Sequence, residues 1–121
     1  MPIALLVAGR GDARDAVGLF LAGRGWTTLP ADPDPGSAVQ ALRAAAPGLV
    51  AIDMRAGQDE ALDCARALRA ATTAPVLVLN VPAALEPAVA AIPGVSVAAR
   101  AEDVPAAPGV PLPPHMAAGT G

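Results

Sequence analysis

The sequence contains few of the residues on which several kinds of chemistry depend. It has one cysteine, one histidine, one tryptophan, one phenylalanine and no tyrosine. Cys64 therefore cannot form a disulfide within the chain, and His115 alone cannot build a histidine metal cluster. His115 also lies in a segment without a predicted anchor, which argues against a Ser-His-Asp or Cys-His hydrolase. The scarcity of aromatic rings removes the stacking platform that single-strand nucleic-acid binders use.

The chain also lacks concentrated positive charge and long apolar runs. Its formal net charge is -3 and its eight basic residues are scattered, which predicts no direct nucleic-acid contact by this segment. The longest apolar runs fall far short of the roughly 20 residues that cross a bilayer, so we expect no membrane span. No basic segment followed by an apolar stretch and a cleavage site opens the sequence, which favours a cytoplasmic protein.

What the chain does have is a regular alternation of short apolar runs with helical patterns. The runs are typical of strands buried on both faces, and Gly or Pro clusters interrupt them. Asp12 is the predicted N-cap of the first helix, and Ser37 with Gln40 matches a capping box for the second. Five strands alternating with helices predict an α/β fold with a parallel sheet. The predicted strands are Ile3–Ala8, Trp26–Leu29, Leu49–Ile52, Val76–Leu79 and Val95–Ala98.

One acid, Asp53, directly follows the third of these strands. In open parallel sheets ligands and chemistry collect outside the carboxyl ends of the strands, where strand order reverses. The position therefore favours a functional site around Asp53. After Arg100 the helical pattern stops and prolines alternate with Gly and Ala, so residues 1–104 are predicted to form one domain and residues 105–121 a proline-rich tail or linker.

These elements resemble, over about residues 2–100, the receiver domain of bacterial response regulators, which has a flavodoxin-like fold. The best-matching stretches are RDAVGLFLAGRGW at 14–26, LVAIDM at 49–54, ALRA at 67–70 and APVLVL at 74–79. The resemblance implies a doubly wound five-stranded parallel sheet in the order 2-1-3-4-5. It also implies that Asp53 is the residue that accepts a phosphoryl group from a histidine kinase.

The chain departs from the receiver pattern at the positions that support phosphoryl transfer. Ala8, Gly9 and Arg10 stand where the family has the acidic pair that holds magnesium, so we expect no metal or other cofactor. Asn80 replaces a Ser or Thr, and Arg100 is the base nearest to the family's lysine. A fifth helix is predicted to be absent or degenerate.

The predicted site contains Gly9, Arg10, Asp53, Asn80 and Arg100. Either Arg10 or Arg100 is expected to pair with the Asp53 carboxylate in place of a metal ion. The segment Gly9-Arg10-Gly11 lacks a full phosphate-binding fingerprint and is predicted to form a simple turn.

Outside this site we expect two ordinary features on the third helix. Cys64 is predicted to be a buried thiol. The charged side chains of that helix are predicted to form a solvated face; they are Asp59, Glu60, Asp63, Arg66 and Arg69.

The preferred functional hypothesis is a non-enzymatic, atypical receiver-like signalling domain without magnesium-dependent phosphorylation. It would act through protein contacts, either as a homodimer or by controlling an effector domain or partner protein. One alternative is a small-ligand-sensing flavodoxin-like domain with its pocket at the strand ends. The other is a conventional receiver that accepts a phosphoryl group at Asp53.

Overall fold

The computed structural model describes residues 2–9, 11–98 and 103–107. Every predicted strand is present, and helices alternate with them along the chain. The strands are β1 (Ile3–Val7), β2 (Thr27–Ala31), β3 (Leu49–Asp53), β4 (Val76–Leu79) and β5 (Val95–Ala98). The helices are α1 (Asp12–Gly23), α2 (Pro35–Ala45), α3 (Gln58–Ala71) and α4 (Glu86–Ala90), with short 3-10 turns at Met54–Ala56 and Ala83–Leu85.

The five strands form one parallel sheet in the order β2-β1-β3-β4-β5. This confirms the predicted flavodoxin-like α/β fold and its strand order. β3 lies at the centre, and Asp53 at its end pairs in register with Leu79 of β4. Because all strands run the same way, the carboxyl ends of β1, β3, β4 and β5 lie at one edge, called the carboxyl edge below.

The core consists of two layers, one on each face of the sheet. β1, β3 and β4 are buried almost throughout, and successive residues alternate between the layers. Leu5 and Ile52 belong to the layer that packs against α2, α3 and α4, whereas Leu6 and Leu49 belong to the layer covered by α1. Each fully buried side chain of this size stabilises the fold by about 1.5–3 kcal/mol. The strands therefore hold the carboxyl edge on a rigid base.

Two predicted helix starts are wrong in detail. α1 is preceded by Gly11 as N-cap, so Asp12 is the first helical residue and not the cap. For α2 the cap is Asp34, whose carboxylate accepts a hydrogen bond from the Ser37 backbone N–H at 2.9 Å. Pro35 opens that helix, since its fixed φ fits the first turn and it lacks an N–H that would need a partner. Ser37 thus lies inside α2, and the helix begins about one turn earlier than the capping-box pattern predicts.

The chain after β5 does not build an α-helix within the residues that the structure describes. Instead residues 103–107, called the strap below, pack beside α1, where Val104 is fully buried and Ala107 nearly so. Arg24 donates two hydrogen bonds to the Val104 carbonyl, at 3.1 Å from Nε and 2.7 Å from Nη2. The Trp26 indole donates to the Pro105 carbonyl at 2.8 Å. The predicted boundary after residue 104 stays a prediction, although contacts to the domain continue to residue 107.

None of the helices found in these residue ranges is long and apolar enough to cross a membrane.

Candidate functional site

Asp53 is the one charged residue buried among those the structure describes, with 2% of its surface exposed. It is the last residue of the central strand, and its neighbours in the sheet are apolar. A carboxylate removed from water in this way is costly unless hydrogen-bond donors surround it. The site is therefore defined by the groups that supply those donors.

Arg55 is the main partner of the Asp53 carboxylate. Its backbone N–H donates to Oδ1 at 3.0 Å, and its guanidinium Nη2 donates to Oδ2 at 2.9 Å. Nε lies 3.1 Å from Oδ1 and 3.2 Å from Oδ2, so it is shared between the two oxygens. The guanidinium thus donates to both oxygens of the carboxylate, and this bidentate geometry makes an arginine–carboxylate pair strong. We call this pair, with Asn80, the Asp53 latch.

The local chain path places Arg55 over Asp53. Residues Met54–Ala56 form a single 3-10 turn that Asp53 caps, and Met54 is buried while 48% of the Arg55 side chain is exposed. Gly57 then ends the turn with φ at 146°, a conformation that other residues rarely adopt. The turn therefore folds Arg55 back toward the strand end.

Asn80 completes the latch from the neighbouring strand. It follows β4, and its Nδ2 donates to Asp53 Oδ1 at 3.2 Å. Its φ of 57° lies in the left-handed region, which asparagine tolerates better than most residues. The sequence prediction that Asn80 belongs to the site with Asp53 is consistent with this contact.

The hydrogen bonds of the latch decide the charge state of Asp53. Burial alone would raise the pKa of the carboxyl group, but the Arg55 side chain, the Arg55 backbone N–H and Asn80 together hold that pKa below its ordinary value. In turn, hydrogen bonding to Asp53 raises the pKa of Arg55. The site is therefore an ionised pair at neutral pH, with the negative charge inside and the positive charge at the surface.

A cavity of about 360 Å³ opens beside the latch. Its walls are mostly apolar, and three polar side chains, those of Arg55, Asn80 and Glu86, contribute to its lining. The apolar lining comes from α1 and from the ends of β4 and β5: Ala16, Val17, Phe20, Leu79, Val81, Val97 and Ala98. This volume lies within the range of small-molecule pockets.

The structure brings together only part of the predicted site. Asp53 and Asn80 are in contact, and Gly9 lies half-buried beyond β1 at the same edge. Arg10 and Arg100, predicted as alternative partners of Asp53, lie outside the described residues, as does His115. Sequence reasoning missed Arg55, although an acid at a strand end with a donor two residues on is typical of a local Asx turn.

The part of the chain described here contains no group of three or more His, Cys, Asp or Glu side chains that could hold a metal ion. The groups of described residues that contact the Asp53 carboxylate do so through N–H donors of Arg55 and Asn80. The expectation of a metal-free site stays a prediction.

The other singled-out residues lie on α3. Cys64 is fully buried, as predicted, and burial together with the negative charges of Asp34, Asp63 and Glu60 raises the pKa of its thiol to about 11. Arg66 pairs with Asp63 at 3.5 Å on an exposed face, in agreement with the predicted solvated charges.

Arg69 departs from the predicted solvated face. It is half-buried, and its guanidinium donates to the carbonyls of Thr72, Ala74 and Gly94. It thus ties the end of α3 to the loops before β4 and β5.

Fold and site together define a flavodoxin-like α/β domain whose central acid is neutralised from within its own chain. No protein-family model matches this chain, and no match was found among curated proteins.

Proposed function

We propose that this chain is an atypical receiver-like regulatory domain that acts through protein contacts and does not depend on magnesium-assisted phosphorylation. The observation that carries the proposal is the Asp53 latch. Both carboxylate oxygens already accept hydrogen bonds from Arg55, and Oδ1 accepts a further one from Asn80. An incoming phosphoryl donor must break several of these bonds before an oxygen of Asp53 can attack.

The latch also supplies the positive charge that the carboxylate needs. The Arg55 guanidinium lies 2.9 Å from Oδ2 and remains half exposed. A carboxylate paired in this way is a poorer nucleophile because its electron density is drawn toward the donors. These features support a domain that holds one arrangement of its carboxyl edge and presents it to a partner.

The one cysteine of the chain is not an activated nucleophile. The Cys64 thiol is buried and, with a pKa of about 11, protonated at neutral pH. Contact partners in this proposal are a second copy of the chain, an attached effector domain or a separate partner protein. Sedimentation velocity over a range of concentrations tests the first, with a concentration-dependent dimer as the supporting result.

The phosphorylation part of the proposal is tested with acetyl phosphate. The protein is incubated with acetyl phosphate and Mg²⁺, and its intact mass is measured. We expect no gain of a phosphoryl group, either in the wild type or in Asp53→Asn. A stoichiometric gain in the wild type that Asp53→Asn abolishes would contradict the proposal and support a conventional receiver, for which a histidine kinase is the expected donor.

The second candidate function is small-ligand sensing, and the cavity beside the latch favours it. The cavity combines a largely apolar wall with a few polar groups at the carboxyl edge, which is the usual character of a ligand site. Binding is tested by the rise in unfolding temperature with a panel of small amphipathic molecules. A ligand present at about 100 times its Kd stabilises the folded state by about 2.7 kcal/mol, which a thermal melt detects readily.

A further inference from the structure

Within the part of the chain that the structure describes, the strap and the cavity beside the latch adjoin different parts of α1. Strap residues contact Arg24 and Trp26, at and just beyond the end of that helix. The cavity, in contrast, is lined by Ala16, Val17 and Phe20 in the earlier turns of α1, and no strap residue lines it. A full helix packed along this face would be about 10 Å wide and would fill more of the space.

The polar lining of the cavity carries two opposite charges that do not pair with each other. Arg55 holds Asp53 through Nε and Nη2, and its Nη1 makes no hydrogen bond to a described residue. Glu86, the first residue of α4, is exposed and forms no ion pair with a described residue. The lining therefore includes one residue with a guanidinium donor and one with a carboxylate acceptor.

From this arrangement we infer that the cavity binds a free amino acid with a large apolar side chain. The ligand carboxylate would accept a hydrogen bond from Arg55 Nη1, and its ammonium group would donate to the Glu86 carboxylate. The apolar side chain would lie against Val17, Phe20 and Leu79. This inference rests on the second function proposed above and specifies its ligand.

Charge and size together restrict the ligand to this class. A simple carboxylic acid would meet repulsion from Glu86, and a simple amine would leave Arg55 Nη1 without an acceptor. A zwitterion satisfies both groups, and each charge-assisted hydrogen bond adds to its affinity. A volume of about 360 Å³ is at the low end for ligand sites and suits one amino acid better than a peptide.

The inference is tested by isothermal titration calorimetry with three matched compounds. L-phenylalanine carries both charged groups, phenethylamine lacks the carboxylate, and 3-phenylpropionate lacks the amine. We expect L-phenylalanine to bind the full chain at least about tenfold more tightly than either analogue, since each analogue loses one charge-assisted hydrogen bond.

Two pairs of variants locate the binding. Ala16→Phe adds a ring to an exposed position of α1 that lines the cavity, while Ala22→Phe adds the same ring to an exposed position of α1 outside it. The first is expected to abolish L-phenylalanine binding and the second to preserve it. Glu86→Gln should raise the Kd for L-phenylalanine about tenfold without weakening 3-phenylpropionate, and Glu60→Gln on α3 should change neither.

Two results would overturn the inference, and they are distinguishable. If an analogue binds as tightly as L-phenylalanine in a way that Ala16→Phe abolishes, the ligand class is wrong while the sensing function stands. If none of the three compounds binds and the neutral alcohol 3-phenylpropanol does not bind either, both the ligand class and the sensing function fail. Should Ala16→Phe not fold, the Glu86→Gln comparison still decides the ligand class.

Discussion

At the scale of single residues, Asp53 keeps its charge inside the protein because donors come from two directions. Arg55 approaches along the chain from the following turn, and Asn80 approaches across the sheet from β4. Within the described residues no buried side-chain nitrogen or oxygen lacks a hydrogen-bond partner. The charged end of a buried strand is thus compatible with a stable core.

Replacing Arg55 should lower the free energy of unfolding of the protein. Arg55→Gln leaves a buried carboxylate with fewer donors, so we expect the free energy of unfolding to fall by about 1–3 kcal/mol. Chemical denaturation in urea measures the change. Arg66→Gln is the matched control, because the Arg66–Asp63 pair is exposed on both sides and should contribute less than about 1 kcal/mol. Equal effects of the two substitutions would show that the latch contributes no more than a surface ion pair.

The lowered pKa of Asp53 predicts a specific loss of stability in acid. The unfolded chain binds a proton at this group at about pH 4, before the folded chain does. The stabilisation is therefore complete above about pH 4 and is lost as pH falls through the lower folded-state pKa. Urea unfolding at a series of acidic pH values should show a shallower decline for Asp53→Asn than for the wild type. Asp63→Asn, the same substitution at an exposed acid, is the control.

At the scale of elements, apolar runs and turn residues were enough to predict all five strands. β1, β3 and β4 are buried on both faces, so continuous runs of Val, Leu, Ile and Ala identify them directly. β2 and β5 are partly exposed, and their positions followed from β-favouring residues bounded by turn residues. Helix starts were harder to predict, because several polar residues near a boundary can each act as cap. At α2 Asp34 caps the helix, although Ser37 and Gln40 match the capping-box pattern.

The strap is an element that the sequence did not predict. Pro105 within the strap and Pro108 and Gly109 just after it indicate an irregular chain, but they do not predict that Val104 is buried beside α1. Its position depends on Arg24 and Trp26, which are about 80 residues away in sequence. Contacts at such separation leave no periodic signal in the chain.

Shortening the buried side chain of the strap should destabilise the domain. Val104→Ala removes two methyl groups from a fully buried position and should lower the free energy of unfolding by about 2 kcal/mol. Ala106→Ser, at an exposed position of the same strap, should change it by less than about 0.5 kcal/mol. Thermal and urea melts followed by circular dichroism measure both. A neutral Val104→Ala would mean that the strap does not contribute to the folded core in solution.

At the scale of the whole molecule, the topology explains which part of the site was predictable. A parallel sheet brings the ends of β3 and β4 together, so the proximity of Asp53 and Asn80 followed from strand order. The pairing of Arg55 with Asp53 did not follow from strand order, because it depends on the 3-10 turn that reverses the chain after β3. A pocket at the strand ends was one alternative raised by the sequence, but its lining by residues of α1, β4, β5 and α4 was not predicted.

The reactivity of the single cysteine provides a measure of global unfolding. Cys64 is fully buried against the sheet, and the pKa of its thiol is raised to about 11, so little reactive thiolate exists at pH 8. We expect labelling by iodoacetamide to be very slow in native buffer and rapid in denaturing urea. Rates measured between these limits should follow the unfolding curve. Rapid labelling without denaturant would show that α3 separates locally from the sheet.

The hydrogen bond from Trp26 to the Pro105 carbonyl has a practical consequence. This indole is the only one in the sequence, and it is 5% exposed beneath the strap. Its emission spectrum should shift to longer wavelength when water reaches the ring, so the unlabelled protein contains an optical reporter of strap detachment. A binding partner that displaces residues 103–107 and leaves the indole in water would therefore shift the fluorescence emission of Trp26 to longer wavelength.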